Sequence, residues 1–291
     1  MLKHLPILDA GTPVNKDHPL ARGLVSWWVV SPYGHPSFRG GDYLWDLCGK
    51  NKATLVNGPK WRGENGRMGG YGSMEIRAAD RYVANTAGVG LPVADAAAWS
   101  ISYWHKTNAF TSLAVDFGFG VEPSAVSITS GAQRFSLEFL DHYYFWGNNS
   151  DWDTGVAYVV GTWTHVCFTS DGSDSTPNLK LFINGSEVAA GTPGSILTTA
   201  GTWCGFGSHH AAGGSPDALF DNGVIHDRQL SVSEVFQLYE EQVKGSRSLL
   251  NIRSRTSWYL NTEAAPGGAV VPIGVFASRT QPMGMGVMAN F

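Results

Sequence analysis

The fold of this chain is decided by the runs Trp163-Thr-His-Val166 and Leu179-Lys-Leu-Phe-Ile-Asn-Gly185. Both are short and rich in β-branched, leucine and aromatic residues, as is typical of strands. Asn184-Gly185 is a strong hairpin signal, because the two residues readily take the positive φ angles of a type I′ turn. We therefore predict antiparallel strands here, with Trp163 and Val166 in the core.

Similar short runs recur along the whole chain. The run that begins at Trp99 alternates, which places Trp99, Ile101 and Tyr103 on one face of a strand. Such a density of short strands predicts an all-β sandwich. The further predicted strands are Gly23–Val30, Tyr43–Leu47, Ala53–Val56, Ser73–Arg77, Arg81–Ala84, Trp99–His105, Ser112–Gly118, Val126–Thr129, Phe135–Phe139, His142–Trp146, Gly155–Val160, Thr162–Ser170, Leu179–Ile183 and Trp203–Ser208.

One helix is predicted after the last strands. Ser231-Val-Ser-Glu234 is a capping box, in which the two side chains satisfy free N–H groups of the first helical turn. Apolar residues follow at helical spacing up to Val243, and Gly245 stands where a helix stop belongs. This helix is expected to cover one edge or end of the sandwich.

Composition supports the same architecture. Of 291 residues, 43% are hydrophobic but only 15% are charged, and there are 36 glycines and 14 prolines. This balance favours many tight turns, and the low charge suggests that part of the surface is covered. A net charge of −4 gives no reason to expect nucleic-acid binding. We find neither a signal peptide nor a run of ~18–20 apolar residues that would span a membrane.

The two ends differ from the middle. Residues 1–22, interrupted by prolines, predict an extended N-terminal arm; residues 23–245 form the predicted jelly-roll domain; and residues 246–291 form an extended tail. From residue 244 onward, Glu263 is the only acidic residue against Lys244, Arg247, Arg253, Arg255 and Arg279. The basic tail either docks on an acidic neighbour or is an ordinary solvated extension.

Several motifs in a fixed order resemble the laminin-G-like, concanavalin-like jelly rolls. The resemblance covers residues 20–243 and implies two antiparallel sheets of six or seven strands. Besides the two runs quoted first, the similar segments are Gly23-Leu-Val-Ser-Trp-Trp28, Asp46-Leu-Cys-Gly-Lys-Asn51, Trp99-Ser-Ile-Ser-Tyr-Trp104, Phe220-Asp-Asn-Gly-Val-Ile225 and Arg228-Gln-Leu-Ser231.

Some relatives of this fold hydrolyse glycosides with paired carboxylates on one strand, in an E-x-D-x-x-E pattern. No such motif opens at Glu75, Glu122, Glu138, Glu187, Glu234, Glu240 or Glu263. We therefore predict that the chain is not an enzyme and has no catalytic residues.

The resemblance also implies a calcium ion, held by loop carboxylates and carbonyls at an edge of the sandwich. Asp80, Asp221 and Asn222 occupy the corresponding positions, although Arg81 replaces an acidic residue. The alternative is that these are turn-capping residues and that no cofactor is bound.

Aromatic residues suggest a binding surface. Tyr144, Trp146 and Trp152 would form a platform for sugar rings, and Asn148, Asn149 and Asp151 would bond to hydroxyl groups. The alternative is that alternate members of the run His142–Trp146 fill the core.

The arm and the tail resemble those of laminin-G-like proteins in tailed-phage structural gene sets. This resemblance implies a virion structural protein, such as a capsid decoration protein, made in the host cytoplasm and anchored to neighbouring subunits or copies of itself by its ends. The alternative function is a lectin-like adhesion module that binds surface glycans. Neither function involves nucleic acid or a membrane.

Overall fold

The computed structural model describes residues 14–30, 43–44, 46–62, 67, 72–77, 82–94, 96–111, 114–121, 133–139, 141–147, 151–173, 178–192, 201–207, 216–243 and 249. The chain divides into two compact units, Met1–Arg253 and Ser254–Phe291, and all of the second unit lies outside the described residues. The predicted strand Val126–Thr129 also lies outside them.

The described residues of the first unit form sixteen strands and one α-helix. In chain order these are β1 (Leu24–Trp28), β2 (Tyr43–Leu44), β3 (Ala53–Val56), β4 (Lys60–Arg62), β5 (Ser73–Ile76), β6 (Tyr82–Asn85), β7 (Trp99–Ala109), β8 (Ala114–Gly120), β9 (Gln133–Phe139), β10 (His142–Trp146), β11 (Trp152–Ala157), β12 (Thr164–Ser170), β13 (Leu179–Ile183), β14 (Ser186–Gly191), β15 (Trp203–Phe206), β16 (Asp217–His226) and α1 (Val232–Val243).

The strands pair into two antiparallel sheets of eight strands each. Sheet I has the order β14-β13-β12-β7-β16-β5-β4, with β1 paired to β16; sheet II has the order β11-β10-β9-β8-β15-β6-β3-β2. This confirms the predicted all-β jelly-roll sandwich with one short helix, although the sheets are larger than the six or seven strands expected. β4, β14 and β16 were not among the predicted strands; β4 has only three residues, with Trp61 between two charged side chains.

The core lies between the sheets, where alternation brings aromatic side chains face to face. Trp99, Ile101 and Tyr103 point inward from β7 as predicted, and all are fully buried. Trp99 stacks on Phe145 of the opposite sheet, with ring centroids 5.2 Å apart. Such pairs add to the stabilisation from apolar burial.

The predicted hairpin turn joins β13 to β14. Asn184 and Gly185 both have positive φ, at 50° and 81°, as a type I′ turn requires. The Asn184 side chain also accepts a 2.9 Å hydrogen bond from the His165 backbone N–H. Of the two predicted core residues, Val166 is fully buried, whereas Trp163 is only partly buried.

The Asp46 carboxylate organises the loop that follows β2. It accepts hydrogen bonds from the backbone N–H groups of Trp27, Cys48, Lys50 and Asn51, at 2.7 to 3.1 Å. Four donors satisfy a buried negative charge without a cation. The Asn51 amide then donates a 2.6 Å hydrogen bond to the Ser26 hydroxyl on sheet I.

Helix α1 covers the outer face of sheet I. Val235 and Leu238 are buried there against Cys167 and Phe182. The predicted capping box is present: the Glu234 N–H donates to the Ser231 hydroxyl at 3.3 Å, and the Ser231 N–H donates to the Glu234 carboxylate at 2.9 Å.

Residues 14–22, the part of the predicted N-terminal arm (residues 1–22) that the structure describes, do not extend away from the sandwich. They pack on the chain's own sandwich, with Leu20 fully buried in the cluster beneath α1. The His226 imidazole lies 2.9 Å from the Leu20 carbonyl oxygen, and the Asn15 N–H donates to the Leu249 carbonyl at 2.8 Å. A single leucine after Pro19 forms no periodic pattern, so its burial could not be predicted from the sequence.

We expect Asp46→Asn to lower the free energy of unfolding by about 3 kcal/mol, because an amide offers one acceptor oxygen and turns its own N–H₂ toward backbone donors. Urea denaturation followed by circular dichroism measures the change. Asp17→Asn, at an exposed carboxylate, is the matched control and should leave the midpoint unchanged. Equal midpoints for both variants would contradict this role for Asp46.

Candidate functional site

The outer face of sheet II carries an aromatic surface near its β11 edge. Along β10, Tyr143 and Phe145 point into the core, whereas His142, Tyr144 and Trp146 point outward and remain partly exposed. Phe139 on β9 extends this surface, with its ring centroid 4.9 Å from that of Tyr144.

Two carboxylates border these rings. Asp153 on β11 pairs with Tyr144, and its Oδ1 lies 3.1 Å from His142 Nδ1. Asp151 accepts a 3.0 Å hydrogen bond from the Gly147 N–H. Partial desolvation, followed by the negative charges of Asp151 and Asp153, raises the pKa of Tyr144 to about 12. The phenol is therefore a neutral hydrogen-bond donor over the ordinary pH range.

We call this surface the aromatic patch and define it by its described residues: Phe139, His142, Tyr144, Trp146, Asp151 and Asp153. It adjoins a buried apolar cluster on the same face, where Phe135 and Trp203 meet edge to face with centroids 5.3 Å apart. Trp146 packs against that cluster. The Phe135 ring lies across Gly118, where a side chain would collide with it. The floor beneath Trp146 is consequently closely packed.

The structure brings Tyr144, Trp146 and Asp151 of the predicted platform together on one face, whereas Asn148 and Asn149 lie outside the described residues. Their role in binding a ligand stays a prediction. Asp153 and Phe139 were not predicted to belong to the platform. Only the pairing of β10 with its neighbours places them there.

The predicted place of Trp152 in the platform is corrected by the structure, because its side chain lies on the opposite face of sheet II. It begins β11 and pairs with the inward-facing Phe145. Its indole contacts Phe168 of sheet I with centroids 6.3 Å apart, and it occupies the space beside Gly191. Trp152 thus closes the edge of the sandwich and cannot share a ligand with Tyr144.

Two of the predicted calcium residues, Asp221 and Asn222, have surroundings that do not suit a calcium ion. Asp221 is buried, and its carboxylate accepts from the Val30 N–H and from both the N–H and the side-chain amide of Asn222. The Arg67 guanidinium lies 3.7 Å away. The Asn222 oxygen accepts from the Trp27 indole at 3.0 Å. These oxygens already face positively polarised groups, which a cation would have to displace.

Asp80 lies outside the described residues. Within the described ranges, no group of three or more His, Cys, Asp or Glu side chains is placed to hold a metal ion. Burial raises the pKa of the Asp221 carboxyl, an effect that Arg67 and the N–H donors oppose.

A second pair of acidic residues lies inside the sandwich. Asp116 and Glu138 are both fully buried between the sheets. They face away from the aromatic patch, so a molecule bound on the patch cannot reach them. The absence of catalysis stays a prediction.

Together, the fold and the patch define a β-sandwich domain with a partly exposed aromatic and acidic surface. A family profile, that of the concanavalin A-like lectin/glucanases superfamily, matches residues 78–236. The chain belongs to this superfamily, which confirms the family resemblance of its motifs. Among curated proteins, none matches this chain.

Solved structures with a similar fold include domain 4 of AbnA, a GH43 extracellular arabinanase from Geobacillus stearothermophilus, in complex with arabinotriose. It has a TM-score of 0.55 and 19% sequence identity, covering 74% of this chain and 98% of that domain. Trypanosoma rangeli sialidase in complex with sialic acid has a TM-score of 0.52 and 14% identity, covering 81% of this chain and 35% of the sialidase.

The binding domain of Paraclostridial Mosquitocidal Protein 1 is also similar, with a TM-score of 0.55 and 14% identity, covering 76% of this chain and 52% of that chain. This chain thus spans about a third of the sialidase and half of the mosquitocidal binding domain. At these identities the similarity shows the fold alone. In the described residues, no helix has the length and apolarity needed to cross a bilayer.

We expect Trp152→Ala to lower the free energy of unfolding by about 2–3 kcal/mol, because it removes the indole that fills the space between Phe168 and Gly191. Tyr144→Ala, on the partly exposed face of the same sheet, should cost less than about 1 kcal/mol. Chemical denaturation of the two variants measures the difference. A larger loss for Tyr144→Ala would mean that the faces have been assigned wrongly.

Proposed function

We propose that this chain is a carbohydrate-binding domain and that the aromatic patch is its binding surface. The observation that carries the proposal is the combination, on one partly exposed face, of Tyr144 and Trp146 with the carboxylates of Asp151 and Asp153. Membership of the lectin/glucanase superfamily and the fold shared with an arabinotriose-bound domain support it.

The chemistry of the patch suits a sugar ring. A pyranose or furanose has an apolar face of C–H groups that packs on aromatic rings, and a rim of hydroxyl groups that need acceptors. Carboxylates accept such hydrogen bonds strongly. The neutral Tyr144 phenol adds a donor beside them. The closely packed Phe135–Trp203 cluster under Trp146 holds that indole in place before binding, which lowers the entropic cost of association.

The virion role predicted from sequence has no counterpart among the similar proteins named above. Part of the predicted arm and Leu249 of the predicted tail lie on the chain's own sandwich. We therefore do not extend the proposal to capsid assembly, which stays a prediction from the sequence.

We expect Trp146→Ala and Tyr144→Ala each to weaken glycan binding at least tenfold, because stacking of an aromatic ring on a sugar contributes more than about 1.4 kcal/mol when the site is desolvated. A glycan array identifies ligands, and titration calorimetry with the best of them measures affinity. Trp61→Ala and Tyr43→Ala remove partly exposed aromatic residues far from the patch and should bind normally. Undiminished binding by both patch variants would overturn the proposed site.

The charge of the patch predicts which glycans it accepts. Asp151 and Asp153 make it negative, and among the described residues of β8 to β11 the only Lys or Arg is Arg134, which is buried over the Phe119 ring. We therefore expect neutral or amine-bearing glycans to bind at least tenfold more tightly than sialylated or uronic-acid glycans.

The Asp151→Asn, Asp153→Asn double variant should narrow this selectivity, and added salt should do the same in the unmodified protein. Affinities for a matched neutral and sialylated pair measure the effect. A preference for the acidic member of the pair would contradict the assignment of charge.

A further inference from the structure

The interior of the sandwich is polar directly behind the aromatic patch. Sheet I contributes side chains from β7, and sheet II contributes side chains from β8, β9 and β10, joined by Tyr158, which follows β11. We call the set the buried polar network: Tyr103, His105, Thr107, Asp116, Ser136, Glu138, Tyr143 and Tyr158.

Asp116 is the centre of this network. Its carboxyl accepts hydrogen bonds from the Tyr103 hydroxyl at 2.9 Å and from the Tyr158 hydroxyl at 2.9 and 3.0 Å. The Tyr158 oxygen lies 2.9 Å from His105 Nδ1, and His105 Nε2 lies 3.2 Å from the Tyr143 hydroxyl. Asp116 on sheet II is thus joined through hydroxyl groups to Tyr103 and His105 on sheet I.

Glu138 is the second acid of the network. It accepts from the Thr111 backbone N–H at 2.6 Å and from the Thr107 hydroxyl at 3.4 Å. Thr107 belongs to β7 of sheet I and Thr111 directly follows that strand, so Glu138 also joins the two sheets. Asp116 and Glu138 interact electrostatically, and each disfavours ionisation of the other.

Among the described residues, no positively charged group contacts this pair. From β7 come Tyr103 and His105, from β10 Tyr143, and from the segment after β11 Tyr158. Asp217 on β16, itself ion-paired with Arg77, adds a negative charge that acts on Glu138. The buried Arg134 on β9 lies over the Phe119 ring. Burial lowers the pKa of His105 to about 3, so its imidazole is neutral. Among the described residues, no Lys or Arg forms an ion pair with Asp116 or Glu138.

Two ionised carboxylates in this buried network would have no positive charge among the described residues to balance them. Burying an unpaired charge is costly, and a protein avoids that cost by keeping the group protonated. We propose that the Asp116–Glu138 pair holds one proton between its two carboxyl groups at neutral pH. This proton acts as a pH-dependent lock behind the aromatic patch: while it is bound, the two sheets are held together there, and its loss at higher pH weakens that contact.

The direction of the pKa shifts agrees with this geometry. Burial raises the pKa of Glu138 from its ordinary value to about 7, and burial together with Glu138 raises the pKa of Asp116. A group whose folded pKa is raised stabilises the fold fully below its unfolded pKa, and this stabilisation is lost as the pH rises through the folded pKa. Release of the lock is thus centred near pH 7 for Glu138.

The lock lies on the strands that carry the patch. Glu138 precedes Phe139 on β9, and Tyr143 lies between His142 and Tyr144 on β10. Glu138 and Tyr143 are also cross-strand partners. Ionisation of the pair would therefore loosen β9 and β10 first, from the inner side.

Glu138→Gln tests the proposal, because glutamine imitates the protonated acid and cannot ionise. We expect the unfolding equilibrium constant of the unmodified protein, divided by that of the variant, to rise roughly a hundredfold between pH 4.5 and pH 8.5. Urea denaturation across this range gives the ratio. Contributions from the buried histidines, which act in the opposite direction, are common to both proteins and cancel.

Glu187→Gln, at a partly exposed carboxylate paired with Lys180 far from the network, is the matched control, and its ratio should change much less than that of Glu138→Gln. Hydrogen exchange should show β9 and β10 amides exchanging faster at pH 8.5 than expected from intrinsic rates, in the unmodified protein only. Ratios for Glu138→Gln and Glu187→Gln that stay equally flat would overturn the lock.

A measurement without any variant covers the case in which Glu138→Gln does not fold. Infrared spectra of the unmodified protein at pH 7 should contain the carbonyl band of a protonated carboxylic acid, and the band should disappear at alkaline pH. Absence of the band at pH 7 would overturn the proposal. None of these three experiments uses a glycan, so their outcome is independent of the proposed binding function.

Discussion

The strict alternation of side chains along β10 connects the core of this protein to its outer surface. Tyr143 and Phe145 must face the interior for the sandwich to be filled, and this obliges Tyr144 and Trp146 to face outward. A shift of β10 by one residue would turn Tyr144 and Trp146 into the core and expose Tyr143 and Phe145. The register with β9, in which Phe145 lies opposite Ser136 and Trp146 opposite Phe135, holds the alternation in place.

Two buried acids of this fold are stabilised in different ways. Asp46 is surrounded by backbone N–H groups, which stabilise the ionised carboxylate and fix the loop between β2 and β3. Asp116 meets only hydroxyl groups and lies beside a second acid, so the ionised form is disfavoured. The first arrangement fixes a loop through backbone donors. The second joins the two sheets through side-chain hydroxyl groups, and burial together with the neighbouring acid favours its protonated form.

Local signals in the sequence were sufficient for the parts of the fold that local chemistry determines. Asn184-Gly185 formed its turn, Ser231 and Glu234 formed the capping box, and the alternation from Trp99 chose the correct inner face. None of these depends on which strands are neighbours.

Features that depend on contacts between distant parts of the chain could not be predicted from the sequence. Trp152 was predicted to share an exposed platform with Tyr144 and Trp146, and only its pairing with Phe145 turns it inward. Asp221 was predicted to be a metal ligand, but in the fold its carboxylate lies beside Arg67, which is 154 positions earlier in the sequence. Asp116 turns inward at an irregularity between Val115 and Phe117, which no alternating pattern predicts.

The distribution of acids across sheet II explains why we favour binding over hydrolysis. Glycoside hydrolysis needs one carboxyl that stays protonated to act as the acid and another nearby, both on the side of the substrate. Among the described residues, the acids whose pKa is raised by burial are Asp116, Glu138 and Asp221, and none of these three is accessible from the aromatic patch. The outward acids, Asp151 and Asp153, are held by the Gly147 N–H and by His142 in exposed surroundings. A sugar on the patch would meet hydrogen-bond acceptors without meeting a proton donor of the required kind.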